Sequence, residues 1–238
     1  MKRVSLLALA VFFTIVSKGQ VWFDLGIKGG YTPGMSLNTN IFNDEGYQIN
    51  YAHSYLFGGK IGINFSPEHS ITIDGLLTTI NNSRTVTNDE LQQDLNLSLR
   101  YFELPILYRF NKENGGYSEV GPQIGFFQGA TVNDQDASEQ FNKTNYGLAV
   151  GMGQYIGGGN LFGLNLGVRI AYMFNDIITP DFKGTEGNAV YAPSLANESF
   201  AYKASSNLYA GVVAEFNFNF GYFVKGSGCH KNTRFKLF

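Results

Sequence analysis

The sequence predicts an all-β fold, an eight-stranded antiparallel up-and-down transmembrane β-barrel. Three observations predict it: eight segments with apolar side chains on every second residue, connections that alternate between tight turns and long polar loops, and an export signal at the start. Apolar residues with period two make a strand with one dry face. Eight such strands in an exported chain point to an outer membrane.

The start sets the compartment. Met1-Lys2-Arg3 is basic, Val4 to Val16 is an apolar run broken only by Ser5 and Thr14, and Ser17 and Gly19 are small residues at the −3 and −1 positions of a cleavage site. This is a secretory signal over residues 1–19, too short to span a bilayer comfortably. Gln20, not Cys, follows the cut, which argues against a lipoprotein. Residues 20–224 are read as the barrel and 225–238 as a basic periplasmic tail. Cys229 is the only cysteine, so an intramolecular disulfide is excluded. Loss of Lys2, Arg3 and Lys18 leaves a net charge of −5, which is not the balance of a nucleic-acid binder.

The strands follow in order, with edges good to a few residues. The first covers 21–34 and carries Asp24 and Lys28 on its polar parity. The second, 53–65, carries Lys60, and the third, 70–81, carries Asp74. The fourth, 95–110, carries Arg100, Glu103 and Arg109, and the fifth, 117–130, carries Glu119. The sixth covers 145–156. In the seventh, 161–174, Phe162, Leu164, Leu166, Val168, Ile170, Tyr172 and Phe174 share one face, and Gly163, Asn165, Gly167, Arg169 and Ala171 the other. The eighth, 206–224, carries Glu215. The fourth strand changes apolar parity between Leu99 and Phe102, which predicts a bulge there.

Ser66-Pro67-Glu68-His69, Asn111 to Gly116 and Gly157 to Asn160 are tight turns of Gly, Pro and Asn. Segments 35–52, 82–94, 131–144 and 175–205 are long and polar. Outer-membrane barrels have short periplasmic turns and longer outer loops, so both termini are expected in the periplasm. A soluble lipocalin-like barrel would share the alternation. However, the apolar faces carry about forty large side chains, more than the lumen of an eight-stranded barrel can hold. They must therefore face lipid. Aromatics gather at both ends of the strands: Trp22, Phe23, Phe65, Tyr108, Phe110, Phe220 and Tyr222 below, and Tyr55, Phe126, Tyr146, Tyr172 and Phe174 above. Two such girdles are expected at the interfaces.

Ten charges fall inside the strands, five of each sign: Asp24, Lys28, Lys60, Asp74, Arg100, Glu103, Arg109, Glu119, Arg169 and Glu215. Charges in a narrow lumen are costly unless paired. The balance predicts a charge network that plugs the barrel, built from Lys28, Lys60, Asp74, Glu103, Arg109, Glu119, Arg169 and Glu215. The alternative is an ion path. The outer loops carry twelve acidic residues against Arg84, Lys143, Lys183 and Lys203. None has the spaced ligands and Gly of a calcium loop, and solvated loop tips are the expectation.

Residues 101–110, Tyr-Phe-Glu-Leu-Pro-Ile-Leu-Tyr-Arg-Phe, then a turn and Tyr117-Ser118-Glu119-Val120-Gly121-Pro122, resemble the central hairpin of the PorT-like outer-membrane β-barrel family of Bacteroidetes. The strand pattern extends the likeness over the mature chain. The resemblance implies an integral outer-membrane barrel. Some relatives are associated with secretion or gliding machinery, and most have no assigned activity. One departure is the tail after Val224, where such barrels usually stop. From Lys225 to Phe238 it carries four Lys or Arg (Lys225, Lys231, Arg234 and Lys236) and no acid. It reads by default as a loose terminus, with an interaction segment or an extra short strand as alternatives.

No enzyme is expected. Of His53, His69 and His230, only His53 sits at the outer rim where barrel hydrolases work, and Ser54 points to the opposite face. No nucleophile elbow, phosphate loop or metal-ligand cluster is present in the sequence. No cofactor is expected. The leading reading is a non-enzymatic monomeric barrel in outer-membrane lipid, with protein partners reached through its outer loops or basic tail. Phe182, Tyr191, Phe200 and Tyr202, in the longest loop, are the recognition candidates, because aromatics supply contact area at interfaces; the alternative is that they fold back onto the barrel rim. A transport barrel for a small or hydrophobic solute is the alternative, and an outer-membrane lipid hydrolase a distant third.

Overall fold

The computed structural model describes residues 21–43, 45–88, 91–159, 161–183, 202–225 and 233–237; the predicted signal lies outside them. In chain order the strands are β1 Trp22–Tyr31, β2 Gly34–Leu37, β3 Tyr47–Asn50, β4 Tyr55–Asn64, β5 His69–Asn88, β6 Leu91–Asn111, β7 Gly116–Val132, β8 Gln135–Asp136, β9 Thr144–Gly158, β10 Phe162–Met173, β11 Ser206–Lys225 and β12 Thr233–Leu237. Eight of them, β1, β4, β5, β6, β7, β9, β10 and β11, pair antiparallel in that order, and β11 pairs back to β1 from Tyr222 opposite Trp22 to Val212 opposite Tyr31. The ring is closed. Closure satisfies the backbone groups internally, which a lipid environment demands.

The faces are inverted relative to a soluble barrel. On β10, Leu166 is 44% exposed and Val168 50%, while Arg169 is 1% exposed. Asn165, Gly167 and Ala171 are buried beside it. The same alternation runs along β9, where Tyr146, Leu148, Val150 and Met152 are outside. Apolar side chains out and charges in is the arrangement of a barrel whose solvent is hydrocarbon. Tyr55, Phe126, Tyr146, Tyr172 and Phe174 are exposed at the loop end, and Tyr108, Phe110 and Phe220 at the turn end. Phe65 departs from the expected girdle: it is buried in the β4–β5 turn, where its amide donates to the His69 carbonyl.

Four details differ from expectation. Segment 82–94 is largely not a loop. β5 and β6 stay paired as far as Asn88 opposite Leu91, so this hairpin projects beyond the other strands. Its inward side chains Val86, Leu95 and Leu97 are buried, which gives the projecting ladder a dry side to pack. Segment 35–52 likewise contains β2 and β3.

The parity break is not in the fourth strand. Leu95, Leu97, Leu99, Tyr101, Glu103, Leu107 and Arg109 are all buried on one face of β6. The register shift falls at Arg100/Tyr101, where Arg100 faces Gly129 and Tyr101 faces Phe127, so the extra residue is Gln128 on β7. The bulge bends β7 and switches its faces. Arg100 is exposed and takes no part in the lumen. Leu97 and Leu99 do not face lipid as their apolar character suggests; they are buried in the cluster that fills the outer half of the lumen.

The tail is not loose throughout. Thr233–Leu237 pairs with Lys225–Gly221 of β11. β10 begins only at Phe162, opposite Phe218, so the lower end of β11 offers an open edge. An open edge is a template for another strand, and the alternating Arg234, Phe235, Lys236, Leu237 supplies one.

Candidate functional site

The lumen has two tiers. The lower tier, towards the turns, is ionic. Strand register places acids and bases side by side: Lys28 faces Glu215, Lys60 faces Asp74 and Arg109 faces Glu119. Glycines and asparagines around them leave room. A Cβ at Gly62 would collide with the Asp24 carboxylate, and one at Gly167 with the Tyr117 hydroxyl.

Glu215 is the hub. Its carboxylate accepts from Arg109 Nη1 and Nη2 at 2.8 Å each, from Lys60 Nζ at 2.8 Å, and from Asn165 and Asn217 amides at 3.1 and 2.7 Å. Lys28 Nζ lies 3.1 Å from it and donates to Asp74 at 2.7 Å. Arg109 also donates to Glu119 at 2.7 Å and lies 4.2 Å over the Tyr117 ring. Arg169 bridges Glu119 at 2.6 Å and Asp74 at 2.9 Å, and Lys60 pairs with Asp24 at 2.9 Å. Four acids and four bases thus form one network, each buried. Taking charge out of water is repaid only when geometry is good and the remaining lone pairs find donors.

Of the residues singled out in the sequence, Lys28, Lys60, Asp74, Arg109, Glu119, Arg169 and Glu215 come together here. Asp24 joins them, although it was not among the chosen eight. Glu103 does not. It lies fully buried higher up, where Oε2 accepts from Thr78 Oγ1 at 2.7 Å and Tyr209 OH at 2.8 Å, and Gln123 donates to Tyr209 at 2.8 Å. It belongs to a hydroxyl and amide cluster instead of the ion network.

The upper tier is apolar. Leu56, Leu76, Ile80, Leu97, Leu99, Tyr101 and Tyr209 form one buried cluster with residues from the outer loops. Phe141, Ile177 and Ile178 insert into it and are 0% exposed. Phe141 and Ile178 form a β-bridge, and the Asn142 amide donates to the Asp176 and Ile178 carbonyls at 2.8 and 2.9 Å. Ser36 on β2, Asn82 on β5 and Asn207 on β11, with Asn38 and Ser205 beside them, tie these neighbouring segments by buried hydrogen bonds, such as Ser36 Oγ to Asn207 Oδ1 at 2.8 Å. No periodicity in the sequence marks Phe141, Ile177 or Ile178, since they lie in segments read as polar loops.

The recognition candidates divide. Phe182 is half-buried and packs against the upper tier. Tyr202 donates to Asp176 at 2.5 Å, with Lys183 Nζ 5.6 Å from its ring centre and 3.2 Å from Asp176. Both fold back onto the rim. Burial and then the Asp176 carboxylate push the Tyr202 phenol above its ordinary pKa. Tyr191 and Phe200 lie outside the described residues. His53 stands at the rim with Nδ1 2.8 Å from Tyr31 OH and its ring edge-on to Tyr51, while Ser54 is buried and accepts from the Asn81 amide at 2.9 Å.

On the turn side the lumen opens into a vestibule of about 250 Å³ over Asp24, Lys60 and Arg109. Seen from that side, the ion network is the floor.

The apolar exterior, closed antiparallel ring and charged interior are those of an integral outer-membrane β-barrel. No protein-family model matches the chain, and no curated protein does. Solved structures similar to it include OprG from Pseudomonas aeruginosa, an outer-membrane protein, at 13% identity over 85% of this chain and 98% of that one, with a TM-score of 0.47. Neisserial surface protein A is similar at 14% identity over 83% and 97%, with a TM-score of 0.46. The outer-membrane protein AlkL is similar at 15% identity over 86% and 93%, with a TM-score of 0.34. Roles carried on a shared architecture differ from protein to protein, so these likenesses assign none here.

Proposed function

We propose that this barrel is a non-enzymatic outer-membrane protein whose lumen is a structural plug and whose outer loops and basic tail serve contacts with other envelope components. The observation that carries the reading is the two-tier lumen: eight paired charges below and a loop-sealed apolar cluster above. A plug of this kind favours a rigid scaffold over a conduit. The resemblance of residues 101–122 to the PorT-like family extends the proposal to an accessory role beside a secretion or gliding apparatus. The protein acts as a monomer in lipid.

Planar-bilayer recording tests the plug: the unmodified protein is expected to give no steady conductance, and large open-channel currents overturn the reading in favour of transport. The contact role is tested by cross-linking in native membranes. Because Ile177 and Ile178 belong to the upper tier, the informative deletion is 184–201, joined by a short Gly-Ser turn. Loss of the cross-linked partners with retained insertion supports the loop as the contact element. Unchanged partners move the assignment to the tail.

A further inference from the structure

We propose that a crevice in the outer part of the barrel wall holds one aliphatic chain of a lipid from the surrounding leaflet. β1 and β4 run side by side as far as Tyr31 and Tyr55. Beyond that point their neighbours in the wall part company. β2 pairs with β11, and β3 pairs with β5. Between β2 and β3 the wall opens into a crevice of about 420 Å³. That size lies within the range of small-ligand sites, roughly 300–1,000 Å³.

The walls say what fits. Met35 and Leu208 are cross-strand partners on the outward face, and Ala210 continues their row. Ala210 in turn faces Ile170, a residue 54% exposed on the lipid side. Leu208 faces Tyr172 of the outer girdle, so the crevice opens at the upper border of the hydrocarbon-facing belt, beside the chains of the outer leaflet. Ile49 forms the opposite wall. Filling an apolar recess with hydrocarbon recovers contacts that a gap forfeits.

The inner end decides that this is a site and not a passage. Asn82 Oδ1 accepts from the Ser36 amide at 2.6 Å, and Arg84 Nη2 donates to the Ser36 carbonyl at 2.7 Å. These bonds tie β5 to β2 behind the crevice. A chain that enters meets a polar floor and stops.

The test is photolabelling of the full chain in nanodiscs of phosphatidylcholine doped with a phosphatidylcholine bearing a diazirine at the end of one acyl chain. Labelled residues are mapped by peptide mass spectrometry. Labelling at Met35, Ile49 and Leu208 is expected to exceed that at Val168 and Ile170 by about fivefold, a preference of about 1 kcal/mol. Ile49→Trp, at an exposed position on a four-residue strand, should fill the recess and bring Met35 and Leu208 down to the belt level while heat-modifiable gel migration is retained. Equal labelling of crevice and belt in the unmodified protein overturns the proposal. So does labelling of the crevice by a free diazirine fatty acid but not by the phospholipid, which would assign the site to a soluble amphiphile.

Discussion

Arg109 donates to Glu119 on the neighbouring strand at 2.7 Å and, across the lumen, to both oxygens of Glu215 at 2.8 Å each. The first contact closes a hairpin; the second ties opposite walls of the barrel. A fork that grips two carboxylates with parallel bonds is a geometry that guanidinium supplies and ammonium does not. This pair holds the network because Glu215 also receives Lys60 and lies 3.1 Å from Lys28.

Glu215→Gln should therefore be costly, since Arg109, Lys60 and Lys28 all lose part of their counter-charge. The expected destabilisation is about 3–5 kcal/mol, the usual cost of breaking one side of a buried pair. Asp24→Asn, at the edge of the network by the vestibule, should cost clearly less. Urea unfolding from lipid vesicles, followed by Trp22 fluorescence, ranks the two. Equal and small effects would show that the network is not a structural centre.

Much of this could be read from the sequence, and the reasons are physical. Period two survives because lipid and lumen demand opposite side chains on adjacent residues. Arg109 and Glu119 could be paired in advance, as they flank one turn. Glu215 as hub could not, because cross-lumen contacts depend on the stagger at which the ring closes. Leu97 and Leu99 are hard to place for a related reason. A lipid face and a dry lumen tier both take leucine, and only Phe141, Ile177 and Ile178 folding in from the loops distinguish them. Sign and parity alone group Glu103 with the ion network, whereas its height along β6 puts it beside Thr78 and Tyr209.

Val168 and Arg169 are adjacent and should respond oppositely. Val168→Arg puts a charge in hydrocarbon near the middle of β10, with an expected cost of about 2–4 kcal/mol. Val168→Leu should be nearly neutral. Arg169→Leu places an apolar group where Glu119 and Asp74 need a cation, and should be at least as damaging as Val168→Arg. Tolerance of Val168→Arg in the same unfolding assay would contradict a lipid-facing position.

The two tiers should fail separately. Phe141→Ala and Ile178→Ala each leave a cavity in the upper cluster, at an expected cost of about 2–5 kcal/mol. Neither touches the ion network, so the combined variant should still show no steady conductance in a planar bilayer. Opening of the lumen by these two changes alone would place the seal in the upper tier and leave the charges without a blocking role.

Tyr202 gives the loop closure a pH signature. Its phenol is raised above the ordinary tyrosine value by burial and by the Asp176 carboxylate it bonds. A folded-state pKa above the unfolded one means the neutral phenol stabilises the closed loop. That contribution is complete below the unfolded value of about 10 and is lost as pH rises through the folded one. Difference absorbance at 295 nm between the unmodified protein and Tyr202→Phe should show one phenol that ionises later than a free tyrosine. Asp176→Asn removes the repelling charge and should bring that ionisation to lower pH. A Tyr202 that titrates at the ordinary value in the unmodified protein would mean the loop is not folded onto the rim, and with it the contact that holds Lys183 and Asp176 together at the barrel mouth.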